Sequence, residues 1–284
     1  MKRKLKRLFL PLLVIIGLAL LLYPQLSDLW NRRTNSVALS GYSKTIREMS
    51  DKDYSDVFTA AREYNEELRQ MGGYILSEEM LERYYSLLDV SGNGIMAYLE
   101  IPSISVTIPI YHGTEAGVLQ VASGHIEWTS LPVGGAGTHC AVCGHRGLAS
   151  SKLFTDLPKM ETGDVFYVRV LDEYMTYEVD QILTVLPDEL EYLDIESDKD
   201  YFTLMTCTPY GINTHRLLVR GHRISNSAEG GKVYITSEAT EIKPTVVAPI
   251  ITIPFLLLML LPSPKPKANR RKSKKQWRTG SKSS

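Results

Sequence analysis

The stretch TLMTCTPYGINTHRLLVRGHRI, residues 203–224, is the most informative part of this 284-residue chain. An apolar, β-rich run at each end of it predicts two strands, and the turn signal PYG (209–211) lies between them. Cys207 ends the first strand and Arg216 begins the second. The pattern therefore predicts that these two side chains lie close together at the rim of a sheet.

Short β-rich segments of the same kind fill the chain from Gly94 onward, and glycine- and proline-containing turns separate them. Many short strands with few intervening helices are typical of a β-barrel or a β-sandwich, so this part of the chain is predicted to be mainly β. The predicted strands are 95–101, 106–111, 139–143, 165–171, 175–186, 201–206 and 216–224.

The residues that precede this region have a helical pattern. Between Ser43 and Gln70, apolar and aromatic residues recur at spacings of three and four among many charges, which predicts one or two amphipathic helices. Gly72-Gly73 interrupts the pattern. Ser77, which two glutamates follow, is predicted to cap the start of a further helix.

Both ends of the chain carry an apolar run beside a basic cluster. The first run, LFLPLLVIIGLALLLY (8–23), is predicted to be an uncleaved membrane anchor, with a cleaved signal peptide or a buried soluble helix as the alternatives. The second run, TVVAPIITIPFLLLMLL (245–261), is predicted to be another span, the alternative being a tail that is removed or lies on the surface. Basic residues that flank a membrane span are found mainly on its cytoplasmic side. Both termini are therefore expected in the cytoplasm, and the middle of the chain is expected outside the cell membrane.

The net charge of zero hides an uneven distribution of charge. All 32 acidic residues lie between Asp28 and Glu241, whereas five basic residues precede Leu8 and nine follow Leu261. The middle of the chain therefore has 18 basic residues against 32 acidic ones. This excess of negative charge argues against a nucleic-acid partner.

Cys207 and Arg216 could carry chemistry together. A cysteine taken alone is more often a small buried apolar residue than a nucleophile. A fixed cation beside it favours the thiolate and can also bind the oxygen that becomes negative during acyl transfer. Arg216 could instead form a surface salt bridge, and Arg220 and Arg223 are basic neighbours of the same kind.

A histidine would complete such a site, because imidazole can take the thiol proton and later protonate a leaving amine. His145, in the glycine-flanked motif CGHRG, is a candidate for this role. Spacing alone does not select it among the six histidines, since His125, His139 and His215 stand in similarly polar contexts.

The stretch 203–224, together with IPIYHGT (108–114), TSLPVGG (129–135) and GHRGLASSKLFTDL (144–157), resembles the class C, pilin-polymerising sortases. The resemblance extends over most of residues 96–224 and implies a closed β-barrel of about eight strands. Transferred by position, it implies three catalytic roles. These are Cys207 as the nucleophile that forms an acyl-thioester, His145 as general acid and base, and Arg216 as the stabiliser of the transition state.

The same resemblance implies a reaction and partners. A sortase cleaves an LPxTG-like sorting motif of an exported protein between Thr and Gly and transfers the acyl group to an amine. For class C enzymes that amine is usually a lysine of the next pilin, and the product is a covalent fibre on a Gram-positive surface. The expected partners are exported pilins or surface proteins that carry the motif, an acceptor pilin lysine and the membrane; no cofactor and no metal are expected.

The expected fold class is mainly β, a closed sortase-type barrel with N-terminal amphipathic helices and a transmembrane helix at each end. The chain then divides into a basic cytoplasmic N-terminus (1–7), a membrane anchor or signal (8–23), a helical lid or linker region (24–94), the catalytic barrel (95–226), a juxtamembrane linker (227–244), a second transmembrane helix (245–261) and a basic cytoplasmic tail (262–284).

Two features depart from the resemblance. Class C relatives commonly cover the active site with a lid that carries Asp-Pro-aromatic, whereas residues 71–81 of this chain read MGGYILSEEML. The lid could dock through another residue such as Tyr74, the site could be uncovered, or the stretch could be only a linker. Trp128 stands where relatives usually have a small residue, and it could shape a pocket or only pack.

Cys140 and Cys143 form a CAVC motif, which raises the hypotheses of a redox-active site or a zinc site. Residues three apart on one strand point to opposite faces, so a mutual disulfide is disfavoured. A zinc ion would need two further ligands. Packing is therefore the favoured role of both cysteines.

Three other functions stay open at this point. An anchored cysteine protease would hydrolyse surface proteins with the same three residues, and a wall-anchoring sortase of another class would use a different acceptor. The least favoured alternative is a non-enzymatic surface protein, for which Cys207 would be dispensable.

Overall fold

The computed structural model of the chain describes residues 2–148 and 151–226. The helices in this part are α1 (Lys2–Glu48), α2 (Asp51–Met71), α3 (Glu78–Ser86) and the short α4 (Ala116–Leu119). The strands are β1 (Ile95–Ile101), β2 (Val106–Tyr111), β3 (Ser123–His125), β4 (Thr138–Cys143), β5 (Val165–Val170), β6 (Glu173–Val185), β7 (Asp200–Thr208) and β8 (His215–Ile224). Single turns of 3₁₀ helix occur at Pro102–Ile104, Leu157–Lys159 and Leu190–Leu193.

The eight strands form one closed barrel in the order β1-β2-β3-β4-β7-β8-β6-β5. The pairs β2/β3 and β4/β7 are parallel and the others are antiparallel. Closure of the sheet leaves it without an unpaired edge. The prediction of a closed barrel of about eight strands is confirmed, and the strand that the sequence analysis missed is β3, whose three buried residues are too few to show an alternating pattern.

Side-chain alternation along the strands produces two apolar clusters. The larger one fills the barrel and extends under α2 and α3. The smaller one, which we call the outer cluster, lies on the opposite face of β4, β6 and β8. Its buried members are Ile126, Ala141, Val185, Leu193 and Leu218, with Trp128, Cys143, Leu183 and Met205 packed against them.

The two cysteines of the CAVC motif show this alternation. Cys140 belongs to the barrel interior, whereas Cys143 packs against the outer cluster. Both are free thiols. The prediction that they point to opposite faces of their strand is therefore confirmed.

Helices α2 and α3 begin at serine caps. The Ser50 side chain accepts a hydrogen bond from the Asp53 amide, and the Asp53 carboxylate accepts one from the Ser50 amide. The predicted cap Ser77 accepts from the Met80 amide at 3.2 Å. Each cap satisfies a backbone donor that the first turn of a helix leaves free, so the start of each helix is locally encoded.

Buried polar contacts attach α2 and α3 to the barrel. The Asn65 side chain on α2 donates to the Leu131 carbonyl at 3.1 Å and accepts from the Leu131 amide at 2.7 Å. The Tyr84 hydroxyl on α3 accepts from the Gly113 amide at 2.9 Å and lies 3.0 Å from Nδ1 of His125. Both helices are therefore fixed to the barrel, and the segment between them, residues 72–77, is held at both of its ends.

The predicted anchor 8–23 lies within α1, which continues to Glu48. Within the described residues, no single helix meets the length and hydropathy requirements of a membrane span. The pair Pro11–Pro24 and Leu26–Glu48 meets them only together and is bent by 45°. Pro24 stands at the bend, where its ring removes a backbone hydrogen bond. The predicted linker 227–244, second span 245–261 and tail 262–284 lie outside the described residues.

Candidate active site

Cys207 and Arg216 face each other across two neighbouring strands. They are directly opposite in the antiparallel pairing of β7 and β8, one residue before the end of β7 and one residue after the start of β8. Residues directly opposite each other in such a pair project from the same face of the sheet. The proximity that the sequence predicted therefore comes from strand register, and both side chains are half-buried.

His145 follows the end of β4, on the other side of β7. The parallel pairing of β4 with β7 sets Cys143 opposite Met205. Two hydrogen bonds extend this pairing past Cys143, from the Gly144 amide to the Met205 carbonyl at 3.1 Å and from the Thr206 hydroxyl to the Gly144 carbonyl at 2.8 Å. The same register brings His145 level with Cys207, so the three candidate residues lie at the same end of β4, β7 and β8.

The polar groups of His145 and Arg216 have few partners within the protein. The Arg216 guanidinium donates to the carbonyls of Asn213 at 3.3 Å and His215 at 3.2 Å. Among the residues that the structure describes, no carboxylate pairs with it, and the His145 imidazole makes no hydrogen bond. Both side chains are half-buried, so each keeps hydrogen-bonding capacity for a substrate.

The other histidines are held in structural roles or point elsewhere. His125 and His139 are buried, and burial lowers the pKa of His125 to about 3 and that of His139 to about 4. Both ring nitrogens of His112 contact backbone carbonyls, those of Gly94 and Leu87. His215 lies opposite Thr208, whose side chain points to the other face of β7 from that of Cys207. His222 lies opposite Tyr201, at the far end of β7 from Cys207. Of the histidines in the described part of the chain, His145 is the one that the β4/β7 register brings level with Cys207.

The two remaining cysteines are unsuited to nucleophilic attack. Burial raises the pKa of the Cys143 thiol to about 12, although the nearby Arg216 guanidinium opposes this effect. Burial also raises the pKa of Cys140 well above its ordinary value. Because the thiolate is the nucleophilic form, these raised pKa values disfavour Cys140 and Cys143 as nucleophiles.

Apolar surface adjoins the three residues. Cys143, Met205 and Leu218 project from the same face of the sheet as Cys207 and Arg216, by the registers of β4, β7 and β8. Cys143 and Met205 are only partly buried. An extended peptide that crosses Cys207 would therefore find apolar contacts along the outer cluster.

The segment 72–77 touches the border of this surface. The Tyr74 hydroxyl donates to the Asp194 carboxylate at 2.7 Å, and the Tyr74 ring meets the Trp128 ring edge-on at 5.0 Å. The carboxylate also raises the pKa of Tyr74. Docking through Tyr74 was one of the three possibilities that the sequence left open, and the contact with Trp128 gives that tryptophan a packing role. We call residues 72–77 the strap.

No metal centre accompanies these residues. Across 2–148 and 151–226, no group of three or more His, Cys, Asp or Glu side chains is arranged to hold a metal ion. Cys207, His145 and Arg216 supply a thiol, an imidazole and a guanidinium, which are groups that acyl transfer can use.

Comparison with known proteins identifies the barrel. The family model for the sortase domain matches residues 99–224, which include Cys207, His145 and Arg216. The structure of sortase C1 from Streptococcus agalactiae is 47% identical with a TM-score of 0.65, and the match covers 67% of this chain and 99% of that one.

Two further solved structures are similar over the same region. Sortase C of Streptococcus pneumoniae is 39% identical with a TM-score of 0.59, over 67% of this chain and 98% of that one. Clostridium perfringens sortase C, solved with the C-terminal cell wall sorting motif, is 41% identical with a TM-score of 0.58, over 67% of this chain and 99% of that one. Among curated relatives, the chain spans 62% and 63% of the lengths of two sortases that it matches.

Proposed function

Because the chain belongs to the sortase family, we propose that it is a cysteine transpeptidase of class C, in which Cys207 attacks a peptide bond of an exported protein. The observation that carries this proposal is the register that sets Cys207 opposite Arg216, with His145 at the end of the adjoining strand. Strand β7 carries Cys207, β8 carries Arg216 and the loop that follows β4 carries His145, so three neighbouring elements of the barrel supply one group each.

The reaction begins with attack of the Cys207 sulfur on the carbonyl carbon of the scissile bond. His145 removes the thiol proton, and the carbonyl oxygen becomes negative in the tetrahedral intermediate. The Arg216 guanidinium stabilises that oxygen by charge and by hydrogen bonding. When the intermediate collapses, the C–N bond breaks, His145 protonates the departing amine, and the acyl group remains on Cys207 as a thioester.

The second half of the reaction reverses these steps with a new amine. The amine attacks the thioester carbonyl, His145 accepts its proton, and the C–S bond breaks to release Cys207 as a thiol. An amide replaces the thioester, so two proteins become joined through a peptide or isopeptide bond. Hydrolysis would instead release the substrate and would make the chain a protease.

We infer an LPxTG-like sorting motif as the donor and a pilin lysine as the acceptor. The structure of Clostridium perfringens sortase C with a C-terminal cell wall sorting motif supports the donor. The acceptor is supported by the structure of Streptococcus pneumoniae sortase C, which is described in terms of pilin substrate specificity. The apolar outer cluster beside Cys207 suits the leucine and proline of such a motif.

We further propose that the chain acts at the cell membrane, with the barrel outside and both termini in the cytoplasm. The basic residues that precede the apolar run 8–23, and those that follow the run 245–261, support this orientation. Large apolar side chains of α1 are exposed between Phe9 and Trp30, as expected of a surface that lies in lipid.

The purified full-length chain in detergent, given a sorting-motif peptide with and without a pilin acceptor, tests this function. We expect motif cleavage, a thioester at Cys207 detectable by mass spectrometry, and an amide product that forms only with the acceptor. Cys207→Ala should abolish all three, while Cys140→Ala, which changes a cysteine of the barrel interior, serves as the matched control and should retain them. Cleavage whose products do not change when the acceptor is added would identify a protease instead.

A further inference from the structure

The His145 imidazole is not held in place by its own hydrogen bonds. It makes none to the described part of the chain, and it lies in a loop beyond the end of β4. Proton transfer requires this ring to stay within hydrogen-bond reach of the Cys207 sulfur. The position of the ring therefore depends on how the backbone around residue 145 is held.

On the N-terminal side of His145, the β4/β7 pairing holds the backbone. The hydrogen bonds of Gly144 with Met205 and Thr206 described above are the last contacts of this kind. The His145 carbonyl accepts a hydrogen bond from the Phe154 amide at 3.2 Å, which ties it to the loop that follows. None of these contacts joins the residues after His145 to the strand end that carries Cys207.

On the C-terminal side, Arg146 and Tyr210 make that connection. Arg146 donates from Nη1 to the Thr208 hydroxyl at 3.3 Å, and its guanidinium carbon lies 5.8 Å from the centre of the Tyr210 ring. The Tyr210 hydroxyl lies 3.5 Å from the Gly147 carbonyl. Two loops, one beginning at His145 and one following Cys207, thus meet through an arginine, an aromatic ring and a glycine.

Gly147 allows the tyrosine ring to come this close. Its φ is +77°, and a Cβ atom built on it would overlap the Tyr210 ring. A larger residue at 147 would displace the Tyr210 ring from this contact.

Fold stability does not explain Arg146. Within the described residues it has no carboxylate partner, and its Nε is buried without a hydrogen-bond partner. A buried donor that lacks a partner costs free energy. Arg146 is next to His145, and an unpaired buried donor at such a position is expected when the side chain contributes to a functional site and not to core packing.

We propose that Arg146 and Tyr210 form a positioning pair that holds His145 level with Cys207. This inference rests on the proposed function, because it assigns the pair a role in the proton transfers between His145, Cys207 and the substrate amines. Neither residue contacts the reacting atoms in this proposal. Their effect is on the distance and orientation of the imidazole.

The test compares Arg146→Ala, Tyr210→Leu and the double variant with the wild type, each as the full-length chain in detergent. The displacement of a catalytic group by about 1 Å costs up to roughly a hundredfold in rate, so we expect kcat for motif cleavage to fall by about tenfold or more. KM should stay within about twofold, since substrate binding is not involved. The double variant should be no slower than the slower single variant, because both act through the same imidazole.

Alkylation of Cys207 by iodoacetamide as a function of pH provides a readout that needs no substrate. Displacement of His145 should slow alkylation at neutral pH, because the imidazole no longer takes up the thiol proton. Arg146→Lys, which keeps the charge and a donor, should recover part of both losses. Arg62→Ala removes a comparable arginine–aromatic pair, with Phe58 on α2, and should change neither.

Each other result overturns the inference. If Arg146→Ala has the same kcat and the same alkylation profile as the wild type, the pair does not act on His145. A rise in KM at unchanged kcat would make Arg146 a substrate-binding residue, and a lower melting temperature without a shift of the alkylation profile would make it structural. Failure of the wild type to cleave any motif would refute the proposed function, while the alkylation profiles would still decide this inference.

Discussion

At the scale of single residues, the proposed active site depends on where Cys207, His145 and Arg216 lie in the fold. Cys207 and Arg216 lie directly opposite each other in the antiparallel pairing of β7 and β8. Cys140 and Cys143 belong to the same residue type as Cys207 but are kept protonated by burial. The environment, and not the residue type, therefore decides which of the three cysteines can act as a nucleophile.

Arg216 offers the most direct test at this scale. Arg216→Ala should lower kcat for motif cleavage by about a hundredfold, because the loss of one stabiliser of a developing oxyanion has an effect of this size. Arg216→Lys keeps the charge without the planar fork and should recover only part of the rate.

Arg220→Lys is the matched control for these variants. Arg220 lies four residues further along β8, on the same face, and is paired with Asp180 at 3.0 Å. Its substitution should leave kcat within about twofold of the wild type, since a partly exposed ion pair contributes little. Equal losses for the Arg216 and Arg220 variants would contradict the role assigned to Arg216.

At the scale of elements, the strap is the segment of greatest interest. Asn65 on α2 and Tyr84 on α3 fix the helices on either side of it to the barrel. Ile75, at its centre, is 87% exposed. Tyr74 attaches the strap to the border of the outer cluster, and Leu76 packs against the barrel core.

Release of the strap is predicted to expose the apolar surface beside Cys207. Tyr74→Ala removes both the hydrogen bond to Asp194 and the ring contact with Trp128, so motif cleavage at low substrate concentration should increase severalfold. Tyr74→Phe keeps the ring contact and should have a smaller effect, and Ile75→Ala should have none. Steady-state kinetics of motif cleavage measure these changes. Unchanged kinetics in Tyr74→Ala would show that the strap does not limit access of the substrate to Cys207.

At the scale of the whole molecule, buried neutral histidines make stability depend on pH. The folded protein holds the pKa of His125 near 3 and that of His139 near 4, whereas an unfolded chain would show ordinary values near 6.5. Between these limits the unfolded state binds more protons than the folded state. The free energy of unfolding therefore falls as the pH decreases through this window.

Thermal unfolding measured between pH 7 and pH 4 should show this effect as a decrease in Tm on acidification. His139→Gln removes one of the two groups and should flatten the dependence on pH, although loss of the hydrogen bonds to Asp194 and Thr203 should lower Tm at pH 7. A variant with the same pH dependence as the wild type would show that His139 does not contribute to it.

The succession of short strands, the cap at Ser77, the opposite orientations of Cys140 and Cys143, and the closeness of Cys207 to Arg216 all follow from the sequence by itself. Each of them depends on local rules, such as strand alternation, turn residues and side-chain capping, that act over a few neighbouring positions. The membrane spans and the catalytic roles remain predictions of the same kind.

Other features were decided only by the tertiary structure. The parallel pairing of β4 with β7, between residues about sixty positions apart, brings His145 level with Cys207, and no local pattern encodes this pairing. The attachment of Tyr74 to Asp194, the neutral state of His125 and His139, and the meeting of Arg146 with Tyr210 likewise join distant segments. The physical reason is common to all of them: burial, register and loop packing arise only when the barrel closes and sets remote parts of the chain side by side.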